Sequence, residues 1–391
     1  MPPSKKKIAV IFGTRPDTIK LAPIILELQR DRKRFRVVTI ATAQHRQMLD
    51  QVLRVFRIRP TYDLDIMKPA QTLAEITRNA IVGLDRVLVR ERPDMVLVQG
   101  DTTTTFVGGL AAFYRQIPVG HVEAGLRTNN KAHPFPEEIN RRLTSAVADV
   151  HFAPTETARR ALLREHIDRS TITVTGNSVI DALNISVRRG YRFSVPVLND
   201  LVHERRRSVL ITMHRRENLG APMEGAARAI RRLALEMPDV QMIFPVHLNP
   251  LVRQVVYPVF TGVRNVTLIE PLDYLDFVNL MAHTTLIITD SGGVQEEGPA
   301  LGKPVLVLRE VTERPEAVAY GTVTLVGLDE HLIYTTARRL LTDRRAYDRM
   351  ATATNPYGDG RAAARTAAVI RRYFGLSRAP IREFIPSRKS P

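Results

Sequence analysis

The sequence predicts two α/β domains, each a doubly wound, Rossmann-like parallel sheet, and three observations carry that reading. The chain has 391 residues, more than the size at which one hydrophobic core keeps growing. Short β-branched runs alternate with amphipathic segments of about ten residues or more, the written form of consecutive βαβ units. The pattern lapses in a polar stretch, Arg188 to Arg207, and then starts again.

The first strand is Ile8 to Phe12. Gly13, Thr14, Arg15 and Pro16 turn the chain into a helix, Ile19 to Arg30, whose Ile24, Ile25 and Leu28 fall at helical spacing. Further strands are Arg36 to Ala41, Met95 to Val98, Val119 to Val122 and Ile172 to Thr175. The intervening helices include Gln47 to Phe56, Leu73 to Glu91, Thr103 to Tyr114, Glu137 to Ala148 and Glu156 to Glu165. After the restart the strands are Ser208 to Thr212, Val240 to Phe244, Val266 to Ile269, Leu286 to Thr289 and Val305 to Leu308. These elements divide into domains at 1–177 and 178–360. A last segment, 361–391, holds a helix, Arg361 to Phe374, expected to cross back onto the first domain, and a basic tail. Sheets of this kind bind ligands beyond the carboxyl ends of their strands. The polar clusters fall at those ends, so the two domains are expected to face a central cleft.

Composition narrows the function. The hydrophobic fraction is 44% and the charged fraction 25%, ordinary for a soluble globular protein. No apolar run approaches the roughly 20 residues that span a bilayer, and the short run after Lys5, Lys6 and Lys7 ends at Gly13, too early for a signal peptide. A cytoplasmic protein without membrane insertion is expected. The absence of cysteine excludes disulfides, thiolate metal sites and cysteine nucleophiles. A net charge of +17 favours anionic partners. No RNA-recognition or helix-turn-helix signature accompanies it, so a solvated basic surface is expected and not a specific nucleic-acid partner.

The chemistry-bearing residues sit at strand ends. Asp101 follows Met95 to Val98 and Gln99-Gly100, with Thr102 to Thr105 opening the next helix; it is either a cleft carboxylate or a helix cap. Glu123 ends the next strand. Glu137 and Glu138 follow Pro134-Phe135-Pro136, a pattern that an ordinary helix start also shows. His214, Arg215 and Arg216 follow Ser208 to Thr212, and this trio suits a diphosphate. Ser291, Gly292 and Gly293 let backbone N–H groups approach phosphate, and Glu297 one turn later can take ribose hydroxyls. No G-x-G-x-x-G follows a strand, and no P-loop, H-E-x-x-H or G-x-S-x-G occurs. His121 and Glu123 form H-x-E without the cysteine half of a zinc deaminase signature. No cofactor is expected.

Taken in order, Gly13 to Pro16 with Ile19-Lys20, Gln99-Gly100-Asp101 with its four threonines, His121 to Arg127, His214 to Asn218, Phe244 to Pro250 and Asp290 to Glu297 resemble the bacterial non-hydrolysing UDP-N-acetylglucosamine 2-epimerases. Thr312 to Glu316 and Asn355 to Gly360 extend the likeness across Ile8 to Phe374. The resemblance implies a GT-B fold, a homodimer, no metal, and interconversion of UDP-N-acetylglucosamine (UDP-GlcNAc) and UDP-N-acetylmannosamine (UDP-ManNAc) for envelope polysaccharides. Carried onto the matching motifs, it implies catalytic roles for Asp101, Glu123, Glu137 and His214. It implies UDP binding by Arg15, Lys20, His214, Ser291, Gly292, Gly293, Glu297 and Arg314. Thr42 to Gln47 resembles the segment that holds a second, regulatory UDP-GlcNAc in bacterial members, which makes Gln44, His45, Gln47 and Gln71 the allosteric candidates. Ala70 stands where regulated members place an arginine, so that site is expected to be weakened. Asp17-Thr18, Leu21 and Gly298 also depart from the usual family residues, none at a catalytic position. A GT-B glycosyltransferase would share the UDP clamp, and a sister family acting on a related UDP-2-acetamido sugar usually interrupts the threonine run that Thr102 to Thr105 keeps whole.

Overall fold

In the computed structural model, which describes residues 5–43, 46–68, 70–204 and 206–387, strands build two parallel sheets. The first contains β1 (Lys6–Phe12), β2 (Phe35–Ala41), β3 (Tyr62–Asp63), β4 (Met95–Gln99), β5 (Val119–Val122), β6 (Val150–Ala153) and β7 (Ile172–Val174). Their spatial order is β3-β2-β1-β4-β5-β6-β7. The second contains β8 (Ser208–Thr212), β9 (Gln241–Pro245), β10 (Val266–Ile269), β11 (Leu286–Thr289), β12 (Val305–Val307) and β13 (Val323–Leu325), ordered β10-β9-β8-β11-β12-β13. Every strand pair in both sheets is parallel.

Central strands of a doubly wound sheet are covered on both faces and read as unbroken apolar runs. β4 is buried at every position, and β1 from Ile8 onward. The helices start where capping chemistry places them. Thr72 accepts from the Glu75 N–H at 3.2 Å and the Glu75 carboxylate accepts from the Thr72 N–H at 2.8 Å, a capping box that fixes the start of helix Leu73–Glu91. The helix after β1 spans Arg15–Arg30 and so begins before the expected Ile19. Asp17 explains this, because its carboxylate accepts from the N–H groups of Gly13 at 3.0 Å and Thr14 at 2.9 Å. The expected turn residues Arg15 and Pro16 thereby become the first helical turn. Burial pushes the Asp17 carboxyl up to about 6 in spite of these bonds. Three strands are not foreseen by the apolar pattern: β3, β6 and β13, of two, four and three residues.

The chain divides into two compact units, one formed by the segment up to Asn184 with Tyr357–Ile385, the other by Ile185–Pro356. The divisions at 184/185 and 356/357 lie a few residues from the 177/178 and 360/361 placed from sequence. Within the first unit, Asn177 N–H donates to the Tyr357 carbonyl at 2.6 Å, and Asp181 accepts from the N–H groups of Ala362 and Ala363 at 3.1 and 2.9 Å. Helix Ala362–Tyr373 lies against helix Arg15–Arg30, with Arg371 donating to Asp31 at 2.8 Å. The chain beyond it continues along β7, where Phe384 N–H meets the Val174 carbonyl at 2.8 Å and Glu383 accepts from Val174 N–H at 3.0 Å. No described helix is long and apolar enough to cross a membrane.

Each sheet has one switch point, where the chain finishes winding to one side and begins on the other. In the first it lies between β1 and β4, in the second between β8 and β11. Loops leaving the carboxyl ends of such strands diverge and open a crevice. That is where Gly13 to Lys20, Gly100 to Thr105, His214 to Asn218 and Asp290 to Glu297 emerge.

Candidate active site

In the first unit Glu123 stands one strand over from the switch point, beside the turn that follows β4. It follows β5 directly and holds φ 62, the left-handed region that costs a residue with a Cβ roughly 1–2 kcal/mol. This conformation turns the side chain back under the strand ends. Its carboxylate is only 5% exposed and meets donors on all sides. Lys20 Nζ lies at 2.5 and 2.7 Å from the two oxygens, Asn177 Nδ2 donates at 2.9 Å, and Gln99 Nε2 donates to Oε2. Lys20, expected to hold UDP, is thus drawn to a carboxylate of its own unit.

Gly100 follows β4 with φ 74, and a Cβ there would stand 3.5 Å from the Glu123 carboxylate. Its carbonyl receives His121 Nε2 at 2.8 Å. His121 is wholly buried, and burial depresses it to about 3, so the ring is neutral and carries its proton on Nε2. Gly13 is the other close approach: a side chain would collide with the hydroxyls of Thr42 and Thr104, which bond each other at 2.9 Å. Arg15 begins the next helix half-buried, and no hydrogen bond or ion pair reaches its guanidinium among the described residues.

Asp101 projects from the turn after β4 with its side chain 27% exposed. Its surroundings exclude enough water to raise its carboxyl above the usual range, Arg141 opposing and Glu123 reinforcing the rise. The structure therefore brings Asp101 and Glu123 into one electrostatic neighbourhood. Arg141 binds Asp101 through Nε at 2.9 Å and Nη2 at 2.7 Å, and reaches Glu138 at 3.3 Å. Asn140 Nδ2 donates to the Asp101 carbonyl at 2.9 Å. Helix Glu137–Val147 is thereby fastened to the Asp101 turn, with Glu137 half-buried at its head. Of the adjacent acids it is Glu138 that points inward, fully buried and accepting from the N–H groups of Thr128 and Asn129 at 2.9 and 3.0 Å.

In the second unit His214 leaves β8 and Asp290 leaves β11. Nδ1 of His214 lies 2.9 Å from Oδ1 of Asp290, while the other carboxylate oxygen accepts from the N–H groups of His214 and Arg215, both at 2.8 Å. The His214 ring stacks on His247 with centroids 5.8 Å apart. Ser291, Gly292 and Gly293 follow, and Glu297 lies in the first turn of helix Val294–Ala300. Arg314 is held over this turn: its Nε donates to buried Glu296 at 2.6 Å, and a Cβ on Gly292 would meet its guanidinium at 2.9 Å. Arg309, at the end of β12, was not among the expected residues. Burial and the nearby Arg215 lower its basicity, and Nη1 is buried without a hydrogen bond. Its signal in the sequence was a lone arginine closing the run Val305 to Leu308. Asn177, Arg141 and Asp290 were likewise outside the candidate set.

Among the allosteric candidates, Gln44 and His45 lie outside the described residues, as does the side chain of Gln47. Gln71 is engaged at both ends of its amide, accepting from Lys68 N–H and donating to the Ile66 carbonyl, each at 2.8 Å. Ala70 beside it has φ 55.

Comparison with known proteins places these features in context. The family model described as UDP-N-acetylglucosamine 2-epimerase matches residues 27–371. A UDP-N-acetylglucosamine 2-epimerase of Bacillus subtilis (strain 168) is 56% identical over 371 residues, covering 95% of this chain and 96% of its own length. The solved Neisseria meningitidis UDP-GlcNAc 2-epimerase, bound to UDP-GlcNAc, is similar with a TM-score of 0.85 at 48% identity, over 94% of this chain and all (100%) of that one. Staphylococcal MnaA (S. aureus), solved with UDP, has a TM-score of 0.88 at 48% identity, over 97% of this chain and 100% of its own.

Proposed function

The chain belongs to the UDP-N-acetylglucosamine 2-epimerase family and is an isomerase, and from that premise we propose that it interconverts UDP-GlcNAc and UDP-ManNAc in the cytoplasm, as a homodimer, for envelope polysaccharide synthesis. The observation that carries this reading is the pair of carboxylates at the first switch point, Asp101 with its proton affinity raised and Glu123 in a left-handed backbone beside it. The hydrogen on the second sugar carbon has no adjacent carbonyl to acidify it. Removing it without redox chemistry requires UDP to leave from the neighbouring anomeric carbon. The C–O and C–H bonds break, a 2-acetamidoglucal forms, and UDP adds back while the second carbon is reprotonated on the other face. Such a cycle needs acid–base groups near both faces and a clamp that retains UDP. Asp101, Glu123 and Glu137 supply the first. His214, the Ser291-Gly292-Gly293 turn, Glu297, Arg314 and Arg15 supply the second, with Lys20 acting through Glu123.

A glycosyltransferase would need the UDP clamp but not two acids poised at the sugar's own carbons, and the unbroken Thr102 to Thr105 run disfavours the sister epimerase. Exposed Val82 and Val89 on helix Leu73–Glu91, with exposed Phe113 and Tyr114 ending helix Thr103–Tyr114, are apolar surface of the kind that pairs subunits; a monomer mass by light scattering would contradict the dimer. Purified chain given UDP-GlcNAc should form UDP-ManNAc with no added nicotinamide cofactor, and a single unchanged sugar nucleotide after long incubation would refute the activity. Run in reverse from UDP-ManNAc, the same assay tests regulation. We expect a slow start that accelerates only with high added UDP-GlcNAc, and activation at lower concentrations in Ala70→Arg. Both residues carry a Cβ, so the substitution adds little backbone cost at φ 55. A regained diphosphate contact is worth about 1.5–3 kcal/mol, or roughly ten- to a hundred-fold in affinity. Full reverse activity without a lag in both proteins would show that no effector site operates.

A further inference from the structure

Asp290 has no part in the mechanism above, yet it is a fully buried carboxylate at the second switch point, and its two oxygens are used differently. Oδ2 accepts from His214 N–H and Arg215 N–H at 2.8 Å each and from Asn218 Nδ2 at 3.3 Å, which shapes the loop after β8. Oδ1 is equally buried and has no well-aligned hydrogen bond among the described residues, and Nδ1 of the His214 ring stands 2.9 Å from it. The other side of the ring rests on His247, whose own Nδ1 accepts from Asn249 N–H at 3.1 Å. His214 is therefore wedged between a carboxylate and a stacked ring, with Nε2 as its remaining polar atom and the side chain 36% exposed.

We propose that Asp290 is a positioning residue for the epimerisation: it fixes the proton of His214 on Nδ1 and turns Nε2 toward the bound diphosphate. The inference rests on the epimerase reading for the identity of that diphosphate. A carboxylate has no hydrogen to donate, so Nδ1 must carry one to meet Oδ1 at this distance. The neutral ring then presents a bare Nε2. The protonated ring presents Nε2–H to a phosphate oxygen, with its positive charge balanced from behind by Asp290. When the anomeric C–O bond breaks, the electron pair stays on the diphosphate, and an imidazolium already aimed there stabilises the new charge without having to reorient. Against burial, which would raise it, the His214 ring and the two backbone N–H groups hold the Asp290 carboxyl below its usual range, so Asp290 stays an acceptor behind the ring.

Asp290→Asn separates the two jobs. The carbonyl oxygen of asparagine can take the place of Oδ2 and keep the loop donors, and its NH2 then faces Nδ1, which must become an acceptor. The proton moves to Nε2. In long-range proton–nitrogen NMR spectra of chain labelled with 15N-histidine, recorded without substrate and assigned with His214→Gln, the wild-type ring should be the Nδ1–H form and the Asp290→Asn ring the Nε2–H form. Turnover should fall about a hundred-fold, within the range for a misdirected acid–base group, while KM stays within about threefold. A wild-type ring protonated on Nε2 would overturn the proposal, as would an unchanged tautomer with turnover within about twofold in the variant. If Asp290→Asn fails to fold, the wild-type tautomer decides alone. The tautomer is read independently of activity, so a chain with the Nδ1–H form that made no UDP-ManNAc would overturn the epimerase reading and leave the positioning intact.

Discussion

Replacing Glu123 by glutamine should lower turnover by about 10²- to 10⁴-fold, the usual contribution of a positioned acid–base group. The glutamine is nearly isosteric, so the site keeps its shape and loses its proton acceptor. Its surroundings make the effect larger than a simple loss of charge. Glu123 is met by Lys20, Asn177 and Gln99, all donors, and an amide brings its own NH2 into that set. One of the three donors must lose its partner, and the Lys20 ammonium, whose side chain is only 14% exposed, keeps half an acceptor in place of a counter-ion. A buried donor left without a partner costs about 1–3 kcal/mol, so Glu123→Gln should also melt earlier. Affinity for UDP, measured by calorimetry, should change by less than about threefold, because Glu123 is not among the residues proposed to hold UDP. Near-normal turnover would remove Glu123 from the chemistry.

Arg141→Leu should destabilise the first unit by about 3–5 kcal/mol, the cost of taking one partner out of a buried ion pair. Arg141 is 7% exposed and serves two carboxylates, Asp101 at 2.7 Å and the fully buried Glu138 at 3.3 Å. Without it Asp101 loses its paired guanidinium, Glu138 keeps only Arg142 at 3.5 Å, and the Asp101 turn loses the tie that fastens it to helix Glu137–Val147. Turnover should fall as well, although no acid–base group has been removed. Arg141→Lys retains the charge but not the fork that spans both acids, and should fall between. Urea unfolding of the three proteins measures this, and a loss below about 1 kcal/mol for Arg141→Leu would show that the triad carries little of the fold.

The strand ends were legible because polar residues interrupt apolar runs at those positions, and in a doubly wound sheet only the carboxyl ends can gather them. Asp101, Glu123 and His214 could all be located in this way. Their partners could not. Asn177 contacts Glu123 across a wide sequence gap, and Arg141 reaches Asp101 from helix Glu137–Val147, pairings that no local period encodes. Lys20 was named with Arg15 as a UDP ligand by the family resemblance alone; in the structure its Nζ lies against the Glu123 carboxylate. The adjacent acids Glu137 and Glu138 look equivalent in a sequence, and only the packing of Glu138 against Arg141 and the Thr128 turn distinguishes them. The early start of helix Arg15–Arg30 was written in Asp17, whose role as acceptor for Gly13 and Thr14 depends on its burial.

Deuterium incorporation tests the central claim most directly. Elimination and re-addition require the hydrogen on the second sugar carbon to leave as a proton and a solvent proton to replace it. In deuterium oxide, with no added nicotinamide cofactor, the reaction from UDP-GlcNAc should place deuterium at that carbon in UDP-ManNAc and, as equilibrium is approached, in UDP-GlcNAc as well. Retention of the original hydrogen in every product molecule would contradict it.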